Sequence, residues 1–196
     1  MFHLKPRPRR AVGPLAASLL LGSVALIGLP SSARAQDAMT KESAAVVKAA
    51  FLADLETMRG KFLGLAEAFP QDKYSWRPME GVRSVSEVLM LIASEGYGFA
   101  PTALGGKPAM SREDSRKLSA ITDKAQVVEH LTKAFAYAKQ ALEGIDPATL
   151  VGTREMFGQT RNTAGLVLLV SGDMHEHLGQ LIAYARSVGV TPPWSK

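Results

Sequence analysis

The amino-acid sequence predicts an all-α protein that folds as a four-helix bundle. Four segments repeat apolar residues at the three- and four-residue spacing that places them on one side of a helix. Glycine or proline follows these segments, and several of them begin with capping residues. No segment shows a convincing alternation of apolar and polar residues, which is the pattern of a half-buried strand. Amphipathic helices of this kind bury their apolar faces against one another in a bundle.

Residues 1–35 are typical of a secretory signal peptide. Basic residues precede an apolar run over residues 11–29, and two alanines flank Arg34 in the pattern of a cleavage site. The alternative is a membrane anchor, since an apolar run of this length can cross a bilayer. Because glycine and proline interrupt the run, we expect cleavage after Ala35. Export to the periplasm or the extracellular space follows, with no membrane contact after cleavage.

The positive charge of the chain is concentrated in this N-terminal segment. The sequence has 23 lysine and arginine residues against 18 aspartate and glutamate residues, and residues 1–35 contain no acidic one. The remaining chain is formally neutral and has no polybasic run, so it does not fit a nucleic-acid-binding protein. The absence of cysteine excludes a thiolate nucleophile and a thiolate metal ligand.

The mature chain is predicted to contain a leader and one domain. Residues 36–43 are small and polar and form a flexible leader, and residues 44–196 form the bundle. The first helix is predicted to end before Pro70, because proline disfavours the helical conformation in the residue that precedes it. Its apolar stripe consists of Phe51, Leu55, Met58, Phe62, Leu65 and Phe69.

The second and third helices carry clear start signals. Ser84 and Glu87 have the spacing of a capping box at the start of the second helix, which we expect to stop by Pro101 or soon after. The third helix is predicted to begin at Asp123 and to end near Gly144. The stripe of the second helix consists of Val88, Leu91, Ile92, Glu95 and Phe99.

The last helix is predicted over residues 162–188, after an ordered loop over residues 145–161. Small residues at every seventh position of this helix would let another helix approach closely. That neighbour is either a helix of the same chain or a helix of a second copy in a homodimer. The small residues are Gly165, Gly172 and Gly179.

Polar side chains interrupt the apolar face of the last helix. Asp173, His177 and Gln180 fall in the middle of this face, whereas His175 points to the opposite side. An aspartate and a histidine four residues apart can bind one divalent ion together, although a metal centre usually needs a third ligand from a neighbouring helix. The alternative is a buried hydrogen-bond network without metal.

Three stretches of the sequence together resemble the DinB-like superfamily. They are KYSWRPMEGVRSVSEVLMLIA at residues 73–93, DMHEHLGQLIAYAR at residues 173–186 and GVTPPW at residues 189–194. The resemblance implies a four-helix bundle that is often dimeric and commonly holds a divalent metal ion. Characterised members include metal-dependent thiol transferases and an isomerase, so the resemblance also implies a small-molecule ligand.

The resemblance further implies where the metal ligands lie. The family's metal is typically held by one histidine of the second helix and two of the fourth, just before a Gly-Gln pair. Alignment on that pair places the fourth-helix ligands at Asp173 and His177. Alignment on SVSEVLMLIA places the second-helix ligand at Leu91, which cannot bind a metal. The implied ligand set is therefore incomplete.

Glu95 is the candidate for the missing ligand. It lies one turn after Leu91 on the same stripe, so its carboxylate could complete a site with Asp173 and His177. Such an oxygen-rich set suits iron, manganese or magnesium more than structural zinc. Counting the resemblance, the candidate metals are nickel, zinc, manganese and iron. The alternative is that Glu95 pairs with an arginine or reaches solvent.

These observations leave three functional hypotheses. The first is an exported protein with an incomplete divalent-metal site that binds a small ligand or has no catalytic activity. The second is a metal-dependent transferase or hydrolase that uses Asp173, His177 and Glu95. The third is a dimeric interaction protein that works through the glycine-containing face of the last helix.

Overall fold

The computed structural model describes residues 39–195, in which four long helices form the bundle. In chain order the elements are α1 (Lys41–Ala68), α2 (Val85–Tyr97), α3 (Phe99–Ala103), α4 (Arg112–Lys117), α5 (Lys124–Glu143), β1 (Thr153–Met156), β2 (Gln159–Asn162) and α6 (Thr163–Ser187). The predicted all-α class is confirmed. Among the described helices, none combines the length and the apolar character that crossing a membrane requires. The predicted signal peptide at residues 1–35 lies outside the described residues.

The four long helices pack in a ring in which each has two neighbours. α1 packs against α5 and α6, and α2 packs against the same two helices. Each long helix contributes fully buried side chains to the common core, among them Phe62, Leu89, Leu131 and Leu181. Burial of one such side chain contributes about 1.5–3 kcal/mol, so the core holds the helices in place. As a consequence, α2 and α6 lie side by side.

The predicted start signals of the later helices are confirmed. Ser84 accepts a hydrogen bond from the Glu87 amide, and the Glu87 carboxylate accepts one from the Ser84 amide. Asp123 caps α5 and Asn162 caps α6 in the same way, each through its side-chain oxygen. These short-range bonds satisfy amides that have no partner inside the helix.

One predicted helix boundary is wrong, and another is confirmed. α1 begins at Lys41, because Thr40 caps it by accepting a hydrogen bond from the Ser43 amide. The last three residues of the predicted leader, 41–43, are therefore helical, and residues 36–38 lie outside the described residues. α2 ends at Tyr97, which agrees with the prediction that it stops by Pro101, because Gly98 leaves the helical conformation before α3 begins.

The segment predicted as a loop, residues 145–161, contains most of a β-hairpin. β1 pairs antiparallel with β2, and Phe157 and Gly158 form the two-residue turn with positive φ at both positions. The hairpin escaped the sequence analysis because its strands, TREM and QTRN, are almost entirely polar and show no alternation. β2 runs directly into α6, so the hairpin is held next to the start of that helix.

Two helices approach each other closely at a glycine of α2. A Cβ atom at Gly96 would lie 3.1 Å from both Cβ and the carbonyl oxygen of Ala134 on α5. In contrast, a Cβ atom at Gly172 or Gly179 would meet nothing within 4 Å among the described residues. Within residues 39–195, therefore, no helix fills the space above Gly172 and Gly179.

We expect Gly96→Ala to destabilise the protein by about 1 kcal/mol, since the overpacking against Ala134 outweighs the gain in helix propensity. Gly60→Ala is the matched control, because Gly60 also lies inside a long helix but has open space at its Cβ position. That variant should gain up to about 1 kcal/mol. Chemical denaturation checks both values, and equal shifts in the same direction would contradict the proposed packing.

Candidate metal centre

The contact between α2 and α6 brings three potential metal ligands together. Glu95 of α2 lies next to Asp173 and His177 of α6, and one ligand atom from each residue lies within 4.8 Å of the other two. All three residues are partly buried. Glu95 is thus oriented into the bundle, as the sequence-based hypothesis required.

Of the two α6 residues, His177 lies closer to the bundle interior. Its side chain is 15% exposed and that of Asp173 is 32% exposed. The distance from His177 Nε2 to Asp173 Oδ1 is 3.9 Å, which is too long for a hydrogen bond. The one-turn spacing on α6 therefore places both donor atoms on the same side without pairing them directly.

A chain of hydrogen bonds orients the His177 ring. His177 Nδ1 lies 2.9 Å from Gln180 Oε1, Gln180 Nε2 lies 2.8 Å from Tyr184 Oη, and Tyr184 Oη lies 3.1 Å from the carbonyl oxygen of Arg83. The carbonyl oxygen of Arg83 can only accept, so each donor in the chain is fixed in turn. Tyr184 donates to it, Gln180 donates to Tyr184, and His177 Nδ1–H donates to Gln180.

The direction of this chain determines which nitrogen of His177 can bind a metal. Because Nδ1 carries the proton, Nε2 presents its lone pair toward Asp173. A metal-binding histidine usually donates the N–H of its other ring nitrogen to a hydrogen-bond partner, which fixes the orientation of the ring. The sequence analysis placed Gln180 on the polar stripe but did not identify its role or the contribution of Tyr184.

The two carboxylates lack the partners that a buried hydrogen-bond network would supply. Glu95 Oε2 and Asp173 Oδ2 are buried and make no hydrogen bond within the described part of the chain. Two carboxylates can only accept hydrogen bonds, so neither satisfies the other unless one is protonated. These buried oxygens, next to Nε2 of His177, fit a divalent cation. A hydrogen-bond network without metal accounts for them only when Glu95 is protonated and donates to Asp173.

The surroundings of Glu95 favour its protonated form when no cation is bound. Burial raises the pKa of the Glu95 carboxyl from 4.5 to about 9, and the hydrogen bond and negative charge of Asp173 add to this effect. The positive charge of Arg83 acts in the opposite direction. A cation would compete with this proton for the same oxygen atoms.

The other two residues discussed from the sequence do not join the cluster. His175 lies on the outer side of α6, where its Nε2 is 2.9 Å from Asp54 Oδ1 of α1. This position agrees with the prediction that His175 points away from the site. Leu91 lies one turn before Glu95 and lines a neighbouring cavity.

In the metal-free protein, the free energy of unfolding should fall as the pH rises from about 4.5 to about 9. Glu95 keeps its proton over this range in the folded state but loses it on unfolding, so the unfolded state is favoured progressively. The slope from this group is at most about 1.4 kcal/mol per pH unit. Urea denaturation at several pH values in the presence of a chelator measures it. Glu95→Gln should remove the slope, and an unchanged slope would contradict the burial of Glu95.

A model of the DinB family matches residues 39–196 of this chain, which includes all described helices and the three clustered residues. No curated protein and no solved structure shows a significant similarity to the chain. The match extends over most of the sequence and agrees with the observed helical bundle. The chain therefore belongs to the DinB family.

Proposed function

We propose that this protein is a metal-dependent enzyme of the transferase or hydrolase class that acts on a small molecule. The observation that carries this proposal is the pair of buried, unpartnered carboxylate oxygens of Glu95 and Asp173 beside the free Nε2 of His177. These three residues would hold the ion. The candidate metals are manganese, iron, zinc and nickel, and the two carboxylates favour the first two.

The ligand set supports a catalytic role over a structural one. Three protein ligands leave at least one coordination position open, which is typical of catalytic sites. A divalent ion held there acts as a Lewis acid and lowers the pKa of a water or thiol ligand. Gln180 and Tyr184 keep the His177 ring oriented, so that this part of the site is formed before any ligand arrives.

A cavity of about 530 Å³ adjoins Glu95 and provides space for a small molecule. Its wall is largely apolar on the side of the hairpin, where Met156 and the 69% exposed Phe157 face Phe99 and Met110. The rings of Phe99 and Phe157 lie 5.8 Å apart. An apolar portion of the substrate would pack against these side chains while its reactive group lies at the metal centre.

We also propose that the protein works outside the cytoplasm. The support is the basic and apolar pattern of residues 1–35, which is followed by the cleavage-site alanines. An intact-mass measurement of the secreted protein should give a chain that starts at Gln36, and retention of residues 1–35 would contradict this.

Metal binding should depend on His177 and not on His175. Isothermal titration of the metal-free wild type with manganese or zinc should show one site per chain, and His177→Ala should abolish it. His175→Ala is the matched control, since His175 lies two residues away but contacts Asp54 on the outer side. Absence of stoichiometric binding to the wild type would refute the proposed function. Binding without turnover of any substrate would support the non-catalytic ligand-binding hypothesis instead.

A homodimer formed through the outer face of α6 is a second proposal. Leu168 is 74% exposed on this face, and the space above Gly172 and Gly179 is open. A leucine exposed beside small residues suits the close approach of a second helix. Gly172→Leu should shift the mass measured by light scattering from a dimer to a monomer. A monomeric wild type would contradict this proposal.

A further inference from the structure

A second cavity, of about 510 Å³, lies against the start of α2 and carries excess positive charge. Its wall contains three arginines, Arg77, Arg83 and Arg116, and a single acidic residue, Glu87. Its volume is within the range of small-molecule binding sites. Nothing in the proposed metal centre requires three guanidinium groups at this place.

Only one of these arginines is neutralised. Arg77 lies 3.2 Å from the Glu87 carboxylate and donates a hydrogen bond to the carbonyl oxygen of Val82. Glu87 also accepts the capping-box hydrogen bond from the Ser84 amide. The same oxygen atom, Oε2, therefore takes part in both the ion pair and the cap. The guanidinium groups of Arg83 and Arg116 form no ion pair and no hydrogen bond with any residue between 39 and 195.

The arginine-lined cavity and the cavity beside Glu95 share part of their walls. Ser94 and Ser115 line both cavities, and neither hydroxyl is hydrogen-bonded within the described residues. Ser94 directly precedes Glu95 on α2, and Leu91 forms part of the arginine-lined wall. The positive charge of Arg83 also lowers the pKa of the Glu95 carboxyl. A molecule that occupies both cavities would therefore extend from the arginines to Glu95.

We propose that Arg83 and Arg116 bind a carboxylate or phosphate group of the molecule on which the neighbouring metal centre acts. This inference deepens the proposed function and rests on it for the identity of the reacting site. The guanidinium fork matches the oxygen atoms of both groups and binds them in a bidentate manner. Ser94 and Ser115 supply further donors at the edge nearest Glu95. The substrate class is thus a small organic anion.

The architecture couples this anion site to the metal centre. The backbone carbonyl of Arg83 ends the hydrogen-bond chain that orients His177, while its side chain lines the cavity. An anion held by Arg83 is consequently positioned by the same residue that anchors the metal-binding imidazole. Binding of the anionic group would then determine both the distance and the orientation of the reactive part of the substrate relative to the metal ligands.

Titration of inorganic phosphate and of succinate into the metal-free protein tests the anion site without involving the metal. Both probes, or one of them, should bind the wild type, and whichever binds identifies the anionic group. Arg83→Gln and Arg116→Gln should each weaken binding at least about tenfold, which corresponds to about 1.4 kcal/mol. Arg186→Gln is the matched control, since Arg186 is an exposed arginine at the end of α6, away from both cavities. This variant should bind like the wild type.

Failure of both anions to bind the wild type would overturn the inference, as would equal weakening in Arg186→Gln. Thermal unfolding of each variant verifies that loss of binding does not reflect loss of structure. The two proposals fail separately: a protein that binds metal but no anion lacks only the arginine site. A protein that binds anions but no metal retains that site and lacks the proposed function.

Discussion

The packing of α2 against α6 is the contact on which the candidate site depends, because it buries two carboxylates and one imidazole against each other. Removal of a carboxylate from water without a partner costs several kcal/mol, and burial accordingly raises the pKa of Glu95. This unfavourable term is offset by apolar side chains elsewhere in the ring, such as Phe62 and Leu181. The core, and not the polar cluster, therefore holds the candidate site together.

Contacts between residues 74–86 and α6 hold the His177 ring in place. The segment between α1 and α2 pairs with the start of α2 through backbone hydrogen bonds from Val85 to Trp76 and from Ser86 to Tyr74. Trp76 packs edge-on against Tyr184 at 5.4 Å, and Tyr184 in turn donates to Arg83 in the same segment. The imidazole orientation is thus determined by two parts of the chain that are far apart in sequence, residues 74–86 and α6. Such support preserves the ligand geometry when the ion is absent.

The departure from the family pattern at Leu91 has a structural consequence beyond the loss of one ligand. Leu91 and Glu95 lie on the same side of α2 about 6 Å apart along its axis, so the potential ligand is displaced by one turn. The longer glutamate side chain still reaches Asp173 and His177. Leu91 instead contributes an apolar wall to the arginine-lined cavity. The cluster is therefore richer in oxygen atoms than the ligand set that the resemblance implies, and Leu91 shapes the neighbouring cavity.

The sequence by itself determined the four long helices, the start signals at Ser84 and Asp123, the start of the last helix near residue 162, and the face that carries Asp173 and His177. These features follow from spacing and short-range hydrogen bonds, which are local properties of the chain. Only the tertiary structure decided that Glu95 faces that pair, that Tyr184 and Arg83 orient His177, and that Gly96 instead of Gly172 permits close helix packing. The polar hairpin after α5 likewise left no periodic signal. These contacts depend on which helices become neighbours. The packing of the whole core determines the neighbours, because no single segment of the sequence specifies them.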